Sequence, residues 1–571
     1  MSFFAALAHS FIATASRPDY RLFCDNCRAV RVMQESILMR IVSENRDTQF
    51  GREHDFGSVT DITSYRARVP VGNYETFGPL IAEAMKTGAP VLTKERPLIY
   101  EPTSGSVSAA KYIPYTPALQ KEYSRSINVW LSDLYHTITT IKKGRHFWSI
   151  SPPSQAALAA GDGTPVGFAD DTAYLGWKGK ILGRAMAVPS CVRLLSSIEN
   201  FKYTVCYFLL SAQDLTLVSI WNPSFLILLL DTMHRYADRI IGDIARGGIT
   251  LPEPEQATFL RPFIFAQPQR SRECARLFSA FGSDAPVLYR GLWPRLSLVS
   301  CWTDGPSAEG AARLRALFPD VVLQGKGLCA TEGIVSIPLC QASGAVAAYT
   351  SHVLEFVPQD GAGALCVDEL ETGGTYTVVL TTGGGLYRYA LGDSVRVTGR
   401  MGALPVLSFI GRERVSDMTG EKLHEEEVAR AVRAALTAEN ADVSFWMVSP
   451  EQDGAAYYYV LYCEADGNDT LSFERGVRIG RRVEEEFSKN FHYLHSRRLG
   501  QLAPLKFFRV FRGGQDAYFR RCIEEGKKAG SIKPALLDTR TGWQLWFTGM
   551  FCDVDARPAM AGAKAGQGAA A

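Results

Sequence analysis

Four segments of this 571-residue chain carry side chains that could act together on a phosphorylated ligand. Thr103-Ser-Gly-Ser-Val-Ser-Ala-Ala-Lys111 follows a strand candidate and offers hydroxyls, a glycine, backbone N–H groups and a terminal lysine, the groups that cradle a polyphosphate. Taken alone, a Ser-rich connection between two elements is more often only a loop. Gly327-Leu-Cys-Ala-Thr-Glu-Gly333 follows the apolar run Val321–Leu323 and sets a hydroxyl beside a carboxylate at a strand end. Thr331 there suits a phosphate and Glu332 suits Mg²⁺, a hard cation that takes one or two carboxylates plus phosphate oxygens; a Thr-Glu turn cap is the plain alternative. Tyr387-Arg-Tyr-Ala-Leu-Gly-Asp393 puts a carboxylate after a glycine at a strand end, placed either to bind ribose hydroxyls or to close a turn. The charged stretch Phe409–Glu427 then joins two regions of different character.

The elements that position these groups follow from periodicity. Val30, Val32, Met33, Ile37, Leu38 and Ile41 recur at helical spacing, and Met1–Ala15 reads as an amphipathic first helix. Pro70, Gly72, Gly78, Pro79, Gly88 and Pro90 mark a loop-rich region before a short strand at 96–100. A helix at 117–139, a buried strand at 146–150 and one long helix from Pro223 to Gly247 come next, the last with Asp231, Arg235, Asp238, Arg239 and Asp243 toward solvent. This alternation predicts an α/β sheet covered by helices. Beyond Val321 the segments 375–381, 394–398 and 406–410 read as antiparallel strands. From Glu421 the order helix, strand, strand, helix, strand describes a compact α+β unit. We expect a large domain at 1–411 with a β-rich part, a small domain at 412–555, and a disordered Ala/Gly tail at 556–571.

Composition narrows the class. Lys and Arg number 61 against 59 Asp and Glu, without long like-charge blocks, which speaks against a nucleic-acid partner. The apolar run Phe225–Leu230 is too short to span a bilayer, and no Lys or Arg precedes the apolar N-terminus as in a signal peptide. Twelve irregularly spaced cysteines suit reduced thiols and a cytoplasmic location, and the Cys24/Cys27 pair lacks the partners of a zinc site.

In order and spacing the four segments resemble the adenylate-forming, firefly-luciferase-like superfamily. More closely they resemble the auxin-responsive (Gretchen Hagen type) acyl-acid amido synthetases of plants and their bacterial relatives. That likeness rests on Thr103–Thr116, Pro165–Gly176, Ser219–Phe225 and Gly385–Tyr389, within a match running from Phe50 to Trp543. It implies a luciferase-like α/β fold with a large ATP- and acyl-binding domain and a small mobile domain. It also implies that Ser104, Gly105, Ser106 and Lys111 bind phosphates, that Thr331 and Glu332 contact phosphate and Mg²⁺, and that Asp393 binds ribose. Arg412 matches a hinge arginine. Lys533, in Ser531-Ile-Lys-Pro534, matches a lysine that reaches the α-phosphate, a solvated lysine being the plain alternative. The implied reaction consumes ATP with Mg²⁺, joins a small carboxylic acid to an amine such as an amino acid, and is expected of a monomer.

The chain departs from the family pattern at Val107, Ser108 and Ala390. One lost hydroxyl contact to a charged phosphate costs about 1.5–3 kcal/mol, enough to weaken but not abolish ATP binding. Two alternatives therefore stand beside the amido synthetase: an acyl-CoA ligase sharing the adenylate, and a catalytically weakened nucleotide-binding relative.

Overall fold

The computed structural model describes residues 2–103, 111–149, 158–167, 177–304, 307–358, 361, 363–412, 415–416, 418–419, 421, 423–453, 456–467, 471–498, 502–525 and 532–552. The segments expected to hold Ser104, Gly105 and Ser106, the Val107 and Ser108 departures, most of Pro165–Gly176 and the 556–571 tail lie outside them. Two compact units divide the chain: Met1–Arg412 with Cys522–Lys533, and Glu413–Arg521 with Pro534–Ala571.

In the large unit a four-stranded, wholly parallel sheet runs Arg145–Trp148, Leu215–Ser219, Leu298–Cys301, Val322–Gly325 in spatial order. Both faces are buried, as parallel sheets require. Phe147, Val218 and Val299 pack into one core, and Trp148, Leu217 and Leu298 into another. A seven-stranded antiparallel sheet follows in the chain, with Leu404–Arg412, Tyr389–Met401, Thr375–Thr381 and Val353–Pro358 as consecutive members. The small unit has a four-stranded sheet in the order Val443–Asp453, Ala456–Ala465, Lys506–Val510, Gly549–Cys552, with helices Glu425–Ala438 and Phe473–Phe487 packed about its own core.

Three local expectations need correction. The Pro- and Gly-punctuated region after Val71 contains a helix, Tyr74–Thr87, despite Gly78 and Pro79. The Asn73 side chain caps its start, Gly88 ends it at φ 67, and buried Phe77 and Ile81 anchor it, so tertiary burial overrides propensity. The long helix after Pro223 is two, Pro223–Arg235 and Ala237–Arg246, broken at Tyr236. Asp243 does not face solvent: it is buried and accepts from Tyr203 Oη at 2.7 Å and from Thr250 N at 2.6 Å, so it locks the helix end. Among the described residues no helix is long and apolar enough to cross a membrane, and no group of three or more His, Cys, Asp or Glu could hold a metal.

The first helix, Ser2–Asp25, lies along the helix Pro117–Thr137 and is fastened by a histidine pair. The His9 and His146 rings stack with centroids 3.9 Å apart. His9 Nε2–H donates to the Gly144 carbonyl at 3.0 Å, so Nδ1 accepts from Tyr135 Oη at 2.9 Å. Burial lowers the His9 pKa from 6.5 to about 4 against the opposing pull of the Gly144 carbonyl, and burial with the neighbouring His9 holds His146 well below its ordinary value. Both imidazoles are thus neutral in the fold, while the unfolded chain takes up protons below about pH 6.5. Stability should therefore fall as pH drops from 6.5 toward 4. Thermal melts across that range should show the decline, with a shallower slope for His9→Gln; an unchanged slope in the variant removes His9 from the effect.

Candidate active site

The chain leaves the parallel sheet at Gly325 and enters a tight hairpin, in which Cys329–Ala330 pairs antiparallel with Gly333–Ile334. Ala330 faces Gly333, so Thr331 and Glu332 form its two-residue tip. The approach is set by Gly327, whose φ of 71 suits glycine and whose absent Cβ would sit 2.8 Å from the Ser336 carbonyl oxygen. Glu332 is buried at the tip and Thr331 half-buried.

Tyr123, on the helix Pro117–Thr137, ties this hairpin to its surroundings. Its hydroxyl donates to the Ala330 carbonyl, and its ring packs edge-on against Tyr115 and His352, with centroids 5.8 Å away in each case. Burial raises the Tyr123 pKa well above the usual phenol value, and the negative potential of Cys329, Tyr115, Glu332 and Glu101 adds to it. The hydroxyl is a permanent donor, and Glu332 belongs to the same electrostatic neighbourhood as the strand Ile99–Thr103.

That strand pairs with Lys111–Tyr115, and Thr103 stands opposite Lys111, so the two ends of the predicted phosphate loop face each other. The Lys111 ammonium lies 5.3 Å from the Tyr74 ring centre, and the Tyr74 hydroxyl accepts from Tyr112 N at 2.8 Å. Gly72, two residues before Tyr74, donates to the Arg388 carbonyl at 3.1 Å and accepts from Ala390 N at 2.7 Å. Lys111 is thereby linked to the segment that leads to Asp393.

Asp393 is not at a strand end, as the glycine before it suggested. It sits inside the long strand Tyr389–Met401, at an irregularity where Thr377 faces Ser394 but Val379 faces Ala390. Gly392, at φ 75, makes the bulge, which re-aims Asp393 without ending the strand. Across the sheet Asp393 is the register partner of Arg412. Lys533 groups with the large unit, its ammonium 3.8 Å from the Trp302 ring centre and 5.1 Å from that of Phe409, so it is an aromatic-packed cation instead of a solvated one.

Several residues of this region are absent from the motif reading. Glu122 is buried and accepts from Arg40 at 2.9 Å, from His352 Nδ1 at 2.9 Å and from Gly383 N at 3.0 Å. Burial opposes its ionisation, but His352, the Gly383 amide and Arg40 outweigh that and hold its pKa below the ordinary carboxylate value. Glu355, equally buried, accepts from Arg66 at 2.8 Å and Arg388 at 3.0 Å. Arg388 also donates to the Val69 carbonyl at 2.8 Å and holds a left-handed φ of 48. Lys326 sits between two glycines one residue past the last parallel strand. A charged residue so placed at the head of a motif was the one signal that could have singled it out.

Residues 20–323 match the GH3 family N-terminal domain, residues 345–412 its central domain and residues 426–540 its C-terminal domain. The chain belongs to the GH3 family. Among its GH3 relatives, the probable indole-3-acetic acid-amido synthetase GH3.12 of Oryza sativa subsp. japonica is 23% identical over 558 residues, covering 88% of this chain and 90% of the relative. The indole-3-acetic acid-amido synthetase GH3.2 of Arabidopsis thaliana is 24% identical over 508 residues, covering 81% and 90%. A solved AtGH3.15 acyl acid amido synthetase in complex with 2,4-DB superposes with a TM-score of 0.77 at 18% identity, covering 93% of this chain and 94% of that one. The expected α/β adenylate-forming fold, a large N-terminal domain followed by a smaller one, is thus the GH3 fold found here.

Within this GH3 chain the Arg66–Glu355–Arg388 cluster is a test of how the segment before Asp393 is held. Glu355→Gln keeps the shape but leaves Arg388 buried without its counter-charge. It should cost about 3–5 kcal/mol, seen as a lower urea midpoint; a loss below 1 kcal/mol would show that water or backbone carbonyls compensate.

Proposed function

We propose that this chain activates a small carboxylic acid with ATP and transfers the acyl group to an amine, most simply an amino acid, forming an amide and releasing AMP and pyrophosphate. The observation that carries this reading is the buried Glu332 at the tip of a two-residue hairpin, directly after the parallel sheet, in a chain whose residues 20–323, 345–412 and 426–540 match the three GH3 domains. In α/β proteins ligands gather outside the carboxyl ends of parallel strands, where this hairpin begins. The relatives' own names describe amido synthetases of indole-3-acetic acid, which supports an amine as acceptor.

Mg²⁺ fits this site in one way. With no cluster of three acidic or imidazole ligands among the described residues, a resident ion has no cage, whereas one carboxylate suits an ion that arrives with a triphosphate. Glu332 would hold it, and the ion would supply neutralisation of charge on the phosphate oxygens. The protein's own contribution is placement and electrostatics. Lys111, Thr331 and the 104–106 loop would bind phosphate oxygens, Asp393 the ribose, and Lys533 the α-phosphate.

In the first step a carboxylate oxygen attacks the α-phosphorus, the bond to the bridging oxygen breaks, and pyrophosphate leaves. In the second the amine nitrogen attacks the acyl carbon, the carbon–oxygen bond to AMP breaks, and the nitrogen gives up a proton. A mixed anhydride hydrolyses if water reaches it, so exclusion of water is part of the chemistry.

Glu332→Gln should reduce acid-dependent ATP–pyrophosphate exchange at least tenfold with an unchanged melting temperature. Undiminished exchange removes Glu332 from the metal role. A panel of carboxylic acids supplied with ATP and either amino acids or coenzyme A, read by mass spectrometry, should yield amides; thioesters in their place overturn the choice of acceptor.

A further inference from the structure

Two adjacent residues of the helix Pro117–Thr137 reach the two strands of the Thr331–Glu332 hairpin at one register pair, Ala330 and Gly333, which forms its base. Tyr123 donates to the Ala330 carbonyl, and Glu122 reaches Gly333 through His352. A Cβ added to Gly333 would sit 3.3 Å from both Cδ2 and Nε2 of His352 and 3.2 Å from Leu380 Cδ1, so the imidazole edge lies where a side chain of Gly333 would go. Gly333 holds no left-handed φ, which leaves this close approach as the reason for a glycine there.

The ring is held in that orientation. His352 Nδ1–H donates to Glu122 Oε2 at 2.9 Å, and the bond fixes which edge of the imidazole faces Gly333. The backbone beneath the ring is pinned as well: Gln34 Nε2 donates to the Tyr349 and His352 carbonyls at 2.6 and 2.7 Å, Arg125 donates to the Thr350 carbonyl at 2.6 Å, and the Ser126 and Ser351 hydroxyls hydrogen-bond at 2.6 Å. His352 and Glu122 are 0% and 1% exposed, so their contact is shielded from solvent. An alkyl side chain could fill the same volume, but it would not hold one edge against the hairpin.

We infer that His352 is a positioning residue for Glu332: with Glu122 and Tyr123 it clamps the Ala330–Gly333 base of the hairpin and so sets where the carboxylate at the tip stands. The inference rests on the proposed role of Glu332 toward Mg²⁺ and adds the means by which that carboxylate is kept in place for an ion arriving with the nucleotide. A ligand on a mobile hairpin loses conformational freedom each time the ion binds, whereas one clamped by the fold has lost it already. Loosening the clamp therefore weakens the hold on Mg²⁺ and leaves recognition of the acid alone.

His352→Asn tests the clamp while sparing the fold, because the asparagine Nδ2 can stand where Nδ1 stands and keep the bond to Glu122, and only the edge against Gly333 is removed. Amide deuteration of the metal-free protein, followed by mass spectrometry, reads opening of the hairpin, and the Mg²⁺ concentration for half-maximal ATP–pyrophosphate exchange reads the placement of Glu332. In His352→Asn the peptide 327–336 should deuterate about tenfold faster while the rest of the large unit keeps its rates, and the Mg²⁺ requirement should rise about fivefold with KM for the acid within about twofold. Gly333→Ala presses a methyl onto the ring and should raise the Mg²⁺ requirement too. In the double variant the methyl enters space the ring has left, so the combined rise should fall short of the product of the single effects.

Unchanged hairpin deuteration in His352→Asn overturns the clamp. Faster deuteration with an unaltered Mg²⁺ requirement overturns its link to Glu332, and faster deuteration spread evenly over the large unit, with independent effects in the double variant, makes His352 a core residue only and overturns the inference as well. Wild-type protein that exchanges pyrophosphate with no acid of the panel sinks the proposed function and this inference together. Active wild type matched by His352→Asn in both measurements sinks only the inference.

Discussion

Glu122 is withdrawn from water, and a carboxylate in that position persists only where hydrogen bonds and opposite charge replace its hydration. Arg40 comes from the helix Val30–Glu44, His352 from the turn before the strand Val353–Pro358, and the Gly383 amide from the turn after Thr375–Thr381. One side chain therefore draws three separate stretches of chain onto the helix Pro117–Thr137. The same helix supplies Tyr123 to the Thr331–Glu332 hairpin and Trp130 to the parallel sheet. If the Glu122 contacts were lost, the helix that positions both would lose its registration to the antiparallel sheet.

Within the large unit the parallel sheet runs into the Thr331–Glu332 hairpin, the antiparallel sheet holds Asp393 at a bulge, and the pair Ile99–Thr103 and Lys111–Tyr115 sets Thr103 opposite Lys111. Glu355 does for the segment before Asp393 what Glu122 does for the helix: it balances two arginines and allows Arg388 to hold a left-handed backbone in a buried place. Buried carboxylates here act as fasteners, and each becomes costly if a partner is removed.

Much of this was legible in the sequence. Pro117 at the start of a 3.6-residue apolar pattern gave the central helix, and alternation of apolar runs gave Thr375–Thr381 and the strand and helix order after Glu421. The family likeness was legible because hydroxyl, carboxylate and glycine recur at short fixed spacings. What escaped was whatever depends on partners far apart in the chain. Asp243 looked solvent-facing because nothing nearby announces that Tyr203 and Thr250 would enclose it. Asp393 looked like a strand end because a glycine that bulges a strand and one that ends it are the same letter. Glu122, His352 and Lys326 carry no motif of their own, and their roles exist only once remote segments are packed together.

The brevity of the Thr331–Glu332 tip restricts how this protein can diversify. With two residues at the turn and a three-residue connector, Lys326–Leu328, whose central glycine has no room for a side chain, the height of the carboxylate above the sheet is mechanically fixed. Insertions there would displace Glu332 and are expected to be rejected by selection. The distance of this carboxylate from the last parallel strand is therefore a length that can change only if the hairpin itself is rebuilt.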